Sequence, residues 1–353
     1  MSPRTAAART FSLFAVSEVG VLCALVLAVA LFSALEPAFL AERNLRAILI
    51  IVSFVGIIAI GQIVLLVCGE FDLSVGSVAG LAAVVAGKAM TAMALPVPVA
   101  LMCGVLVGGL VGLINGLVVV RLHIPAFIQT LGMLFIGQGL IQVVTLGYPV
   151  YPLPPAIGEI GQASIFFGLG WSFVFFAVLA LAADFVLRRT SLGRNCYAVG
   201  GNVEVARLVG IDTTRYKIGA FVFVGMLAAV AGMFVMADLA SGTTSIGNGW
   251  ELIVIASVVV GGVSLFGGTG SIAGGLLGML LLQVVQSGLV ISGVSANWQQ
   301  IAVGVIMVAA VGLDVLRRRM FVDGARAEPV PPQAAAPLGE VPRDTSGADS
   351  RSS

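Results

Sequence analysis

The chain has 353 residues, 59% of them hydrophobic and only 10% charged, with a net charge of +1 and a mean hydropathy of +1.10. Soluble domains are about half apolar and about a quarter charged, so this surplus of apolar surface excludes a soluble fold and requires lipid, while near-neutrality excludes a nucleic-acid-binding field. Four cysteines without C-x-x-C spacing and a single histidine, His123, leave no disulfide framework and no ligand set for a metal, and no cofactor is expected.

A bilayer core takes roughly 20 consecutive apolar residues per helix. Residues 1–18 are polar, with Arg4 and Arg9, and read as a cytoplasmic N-terminus before an apolar run at 19–35. That run is long for a signal-peptide core and reads as a retained first span. Further spans are expected at about 46–67, 74–95, 98–120, 126–147, 164–187, 217–239, 251–266, 270–291 and 298–316. The expected fold is therefore all-α: a polytopic membrane protein of about ten transmembrane helices over 19–316, some of them broken. Placing the N-terminus inside puts Arg121, Arg188, Arg189, Arg194, Arg207, Arg215, Lys217 and Arg317 to Arg319 on the cytoplasmic side, against Arg43, Arg46 and Lys88 outside. Both termini are then cytoplasmic, and the tail 317–353, without apolar periodicity, is expected to be disordered there.

Cys68-Gly-Glu-Phe-Asp-Leu-Ser-Val-Gly-Ser-Val-Ala-Gly80 is echoed by Gly261-Gly-Val-Ser-Leu-Phe-Gly-Gly-Thr-Gly-Ser-Ile-Ala-Gly274, an internal parallel repeat of the kind many transporters are built on. Between the copies, Gly104, Gly108, Gly112 and Gly116 form a small-residue stripe for close helix packing. Gly268-Thr-Gly-Ser-Ile-Ala273 resembles a dinucleotide string but sits between spans, and no G-x-x-x-x-G-K-[ST] is present, so the chain neither binds nor splits ATP.

Asp72 and Ser74, at a break between spans, are placed to cap the next helix, with Thr269 and Ser271 doing the same uncharged in the second copy. Asp72, Ser74, Asn115, Gln129, Gln286 and Trp298 are the candidate translocation or gating residues, and Gln62, Gln138, Gln142, Gln283, Asn297, Gln299 and Gln300 are further neutral hydrogen-bonding groups on spans. The lack of charge at mid-span argues against a proton relay.

The longest charged loop is 188–217. Within it Asn202 can cap a short helix of about 203–209 closed by Gly210, with Glu204 and Arg207 on one side and Ala206 and Gly210 forming a small-residue face. A helix this short needs a partner.

Taken together, Gly69-Glu-Phe-Asp-Leu-Ser-Val-Gly-Ser77, Leu113-Ile-Asn-Gly-Leu through Gly132-Met133, Thr190-Ser-Leu-Gly-Arg through Val205-Ala-Arg207 and Val260-Gly-Gly-Val through Gly270-Ser271 resemble the ribose-type sugar permeases of bacterial ABC importers. Glu204-Val-Ala-x-x-x-Gly210 is similar to the E-A-A-x-x-x-G loop that contacts the ATPase, with Val205 in place of the middle alanine. Glu70 departs from the pattern, where such permeases commonly carry a second glycine. The resemblance implies an inner-membrane permease homodimer translocating a sugar or sugar-like solute, a separate ABC ATPase, and a periplasmic solute-binding protein. Asn202, Glu204, Ala206, Arg207 and Gly210 would couple the ATPase to transport. The alternative is a secondary transporter or facilitator of a small polar solute.

Overall fold

The computed structural model describes residues 3–165 and 168–295 and parts of 297–312. The tail expected over 317–353 and much of the span expected at 298–316 lie outside the described residues. The elements are α1 (Pro3–Leu35), α2 (Glu42–Val67), α3 (Val75–Thr91), α4 (Val97–Arg121), α5 (Ala126–Thr145), α6 (Pro155–Gly161), α7 (Trp171–Arg189), α8 (Ser191–Gly201), α9 (Val203–Leu208), α10 (Thr213–Asp238), α11 (Trp250–Val260) and α12 (Ile272–Ile291). Among the described residues seven helices are long and apolar enough to cross a membrane: α1 through its Glu18–Leu35 portion, α2, α4, α5, α7, α10 and α12. A multi-pass, all-α protein is what forms.

The expected spans differ from these elements in instructive ways. α1 begins at Pro3, so the polar N-terminal stretch continues into the first span without a break. α3 has 17 residues and α11 only 11, and at 1.5 Å per residue α11 covers about half of a roughly 30 Å hydrocarbon core. The span expected to reach residue 266 stops at Val260 because Gly262, Gly267 and Gly268 take φ of 88°, 86° and 72°, which a right-handed helix cannot accommodate. The breaks thus fall at matching places in the two repeat copies, before α3 and before α12.

α2 is the axis of the bundle. From Val52 to Val67 almost every side chain is buried, whichever way it points. A helix apolar on all sides can be stable only when surrounded, and α7, α10, α11 and α12 supply that surround. Gln62 sits in this apolar sleeve with neither amide atom hydrogen-bonded among the described residues. The most extensive helix contact joins α4 to α10, and the glycine stripe is its basis: a β-carbon at Gly112 would strike Phe221, one at Gly116 would lie 3.0 Å from the Ile218 Cα, and one at Gly108 would strike Gly225. α5 is the exception to this dense packing. Its chief neighbours are α3 and α4, and it leaves Ile128, Phe135, Ile136 and Val143 exposed.

Candidate functional site

The break 68–74 brings four of the sequence-selected polar residues together. The Asp72 carboxylate accepts from both the Ser74 amide and the Ser74 hydroxyl at 2.6 Å. Asn115, on α4, donates to the second Asp72 oxygen at 3.1 Å and to the Ser74 hydroxyl oxygen at 3.0 Å. Gln129, in the second turn of α5, donates to the Asn115 oxygen at 3.1 Å. Asp72, Ser74 and Asn115 are buried. The expectation of a helix cap needs correction: Ser74 is the residue preceding α3, but its side chain makes no cap bond, and Asp72 instead closes a local turn two residues on. In the second copy Ser271 does cap α12, accepting from the Gly274 amide at 3.0 Å.

This network joins Asp72, Ser74, Asn115 and Gln129 side chain to side chain, so it fastens α3, α4 and α5 at one end of the bundle. Gln286 is half-buried on α12, which packs chiefly on α1, α2 and α11, and Trp298 lies exposed beyond the end of α12, so neither joins the cluster. Asp72→Asn keeps an acceptor for Ser74 and is expected to retain folded protein and transport within about twofold. Asp72→Leu leaves the Ser74 and Asn115 donors unpaired at about 1–3 kcal/mol each and is expected to lower the amount of folded protein. Size-exclusion profiles beside uptake check this; equal loss of transport in both variants at normal protein levels would show that the charge itself is used.

The loop 188–217 holds two helices where the sequence pointed to one. Thr190 caps α8, accepting from the Gly193 amide at 3.4 Å, and Asn202 caps α9, accepting from Val205 at 3.0 Å. Gly210, with φ 83°, closes α9: its amide bonds Arg207 and that of Ile211 bonds Ala206, both at 3.0 Å, the paired pattern that ends many helices. The face expected to meet a partner is corrected by burial. Ala206 is only 1% exposed and turns inward, whereas Val205, Leu208 and Val209 are 54%, 86% and 69% exposed. Glu204 and Arg207 pair across 3.5 Å at the surface, a contact of little energetic weight. The outward face is apolar, with Val205 and Leu208 spaced i, i+3 along it.

Three connections tie this segment to the breaks. Near the end of α8, a β-carbon on Gly200 would strike the Val67 carbonyl and lie 2.7 Å from the Gly268 amide, while one on Gly267 would lie 2.7 Å from both the Gly200 oxygen and the Gly69 Cα. The Gly268 amide also donates to the Val67 carbonyl at 3.0 Å. The breaks of both repeat copies therefore meet α8 backbone to backbone. Tyr197 adds a hydrogen bond from its hydroxyl to the Gly270 carbonyl at 2.7 Å, and burial pushes that phenol up to about 12, which keeps the donor protonated. Lys217, at the start of α10, pairs with Glu70 at 2.6 Å, with side chains only 17% and 15% exposed. The departure at Glu70 thus has a dedicated partner.

Residues 44–311 match the family described as branched-chain amino acid transport system, permease component. The chain is 35% identical over 303 residues to the L-arabinose ABC transporter permease protein of Azospirillum brasilense, covering 86% of this chain and 89% of that protein. It is 36% identical over 304 residues to the ribose import permease protein of Escherichia coli, covering 83% and 92%, and 32% identical over 300 residues to the autoinducer 2 import system permease protein of Photorhabdus luminescens, covering 84% and 89%.

Proposed function

This chain belongs to that family of transport-system permease components, and from this premise we infer that it carries a sugar or sugar-like solute through the bilayer for an ABC importer. It is a multi-pass membrane protein that performs transport and not catalysis. The relatives named above supply the solute class: those imported by arabinose and ribose permeases are polyhydroxylated and neutral. An ABC ATPase on one side and a solute-binding protein on the other are the implied partners. The finer reading is a homodimer in a bacterial inner membrane, in contact with lipid, with both termini and the loop 188–217 in the cytoplasm. The distribution of Lys and Arg supports the orientation.

The observation that carries the coupling role is the exposed apolar face of α9, joined through α8 to both breaks by backbone contact. ATP-driven motion pressed on Leu208 would reach Val67 and Gly268 through packed main chain rather than through a flexible linker. Glu204, Arg207, Asn202 and Gly210 then shape and hold the docking helix, and Ala206 seats it.

Proteoliposomes holding the permease, the ATPase and the binding protein should take up labelled ribose, arabinose or xylose only when ATP and the binding protein are both present. Saturable uptake by the permease alone would replace this reading with a facilitator.

A further inference from the structure

The chain between α10 and α11 does not cap the bundle but runs back into it alongside α3. Gly242 stands 3.9 Å from the Ala83 oxygen by its would-be β-carbon, the Ile246 carbonyl oxygen lies 2.6 Å from where a β-carbon on Gly80 would stand, and Gly247 meets Gly76. From position 83 to 76 at 1.5 Å per residue this is a descent of about 10 Å. Irregular backbone at such depth is tolerated only where protein buries it or where it lines a water-filled cavity.

A cavity of about 400 Å³ opens between this segment and α5, walled by Phe135, Gln138, Gln142, Thr244 and Asn248. Phe135, Gln138 and Gln142 are spaced i, i+3 and i+7 and share one face of α5. Gly139, between them, has open space where a side chain would stand. None of the four polar side chains makes a hydrogen bond among the described residues, in contrast to the linked side chains of Asp72, Ser74, Asn115 and Gln129 at the other end of the same helix.

Unanswered amides facing hydrocarbon would be costly, so this face meets water or a polar ligand. The wall carries no charge: it offers amide donors and acceptors, one hydroxyl and the exposed ring of Phe135, which is the usual mixture of a small-molecule site, apolar surface with a few convergent polar groups. We propose that Phe135, Gln138, Gln142, Thr244 and Asn248 form a solute-receiving site on the translocation pathway, taking a neutral polyhydroxylated solute, with amides on its hydroxyls and the phenyl ring on its apolar face. The proposal rests on the sugar-import reading above.

The test is Gln142→Leu and Asn248→Leu in proteoliposomes holding permease, ATPase and binding protein, with labelled ribose, arabinose and xylose as probes. Each variant should raise KM for uptake by about three- to tenfold, the value of one or two neutral hydrogen bonds, with unchanged ATPase association and basal ATP hydrolysis. Phe135→Leu should raise KM in the same sense. Uptake of these sugars by both leucine variants at the unaltered protein's KM overturns the site. Unchanged KM together with loss of the dimer overturns it too, assigning the face to subunit contact. An unaltered complex that imports none of these sugars but does import branched-chain amino acids sinks the sugar-import reading itself, a result separable from either.

Discussion

A carboxylate in place of Leu208 is expected to detach the ATPase and end solute import while the permease remains folded in the membrane. Leu208 is 86% exposed, so the isolated permease loses almost no packing on Leu208→Asp. Docking would bury it, and full burial of a leucine is worth about 1.5–3 kcal/mol; the aspartate must in addition be desolvated against an apolar surface. The combined effect is a loss of affinity of about two orders of magnitude or more. Val209→Asp should act in the same direction. Co-purification of the ATPase with tagged permease, beside uptake in proteoliposomes, measures both consequences. Normal co-purification and import by the double variant would remove α9 from the docking surface. Ala206→Trp cannot make this test, because a residue only 1% exposed has no room for an indole and the local fold would fail first.

Gly200→Ala is expected to leave the ATPase bound and hydrolysing while import falls at least about tenfold. The added methyl would strike the Val67 carbonyl and crowd the Gly268 amide. Both neighbours are backbone, so neither can swing away as a side chain would. α8 must shift relative to the two breaks, and 1.4 kcal/mol of mispositioning is already a factor of about ten. The informative ratio is solute imported per ATP hydrolysed, together with stimulation of hydrolysis by the loaded binding protein; a merely destabilised permease would lose amount without changing that ratio. Should the alanine variant fail to accumulate, Tyr197→Phe and Glu70→Gln keep the idea exposed to test. They remove one hydrogen bond to Gly270 and one ion pair to Lys217 without adding bulk, and should lower the ratio about two- to tenfold. Unaltered stoichiometry in all three would mean that the force travels by another route.

The sequence by itself determined the features whose cause is local. Apolar runs of about 20 residues specify spanning helices in any context. Asn202 and Gly210 bound α9 because a cap acts over three residues and a left-handed closure over five. The four-residue glycine spacing marked a close-packed face of α4 before its partner α10 was known. Even the matching breaks were visible as an echo between 68–80 and 261–274.

What remained hidden depends on which surfaces meet. α9 has six residues, too few for periodicity to say which side turns inward, so Ala206 passed for the outer face and Leu208 was missed. Asp72 passed for a cap because a carboxylate just before a helix can equally close a local turn, and its further partner Asn115 lies 43 positions away on another helix. Glu70 looked anomalous for the same reason, its cation lying 147 positions on. The unanswered amides of Gln138 and Gln142 could not be told from Gln129, which donates to Asn115, on the same helix, since hydrogen bonding is a property of neighbours and not of residue type. Backbone conformation is set by a few adjacent residues, but burial and pairing are set by the packing of segments brought together only when the whole chain folds, and that packing is what the tertiary structure decided.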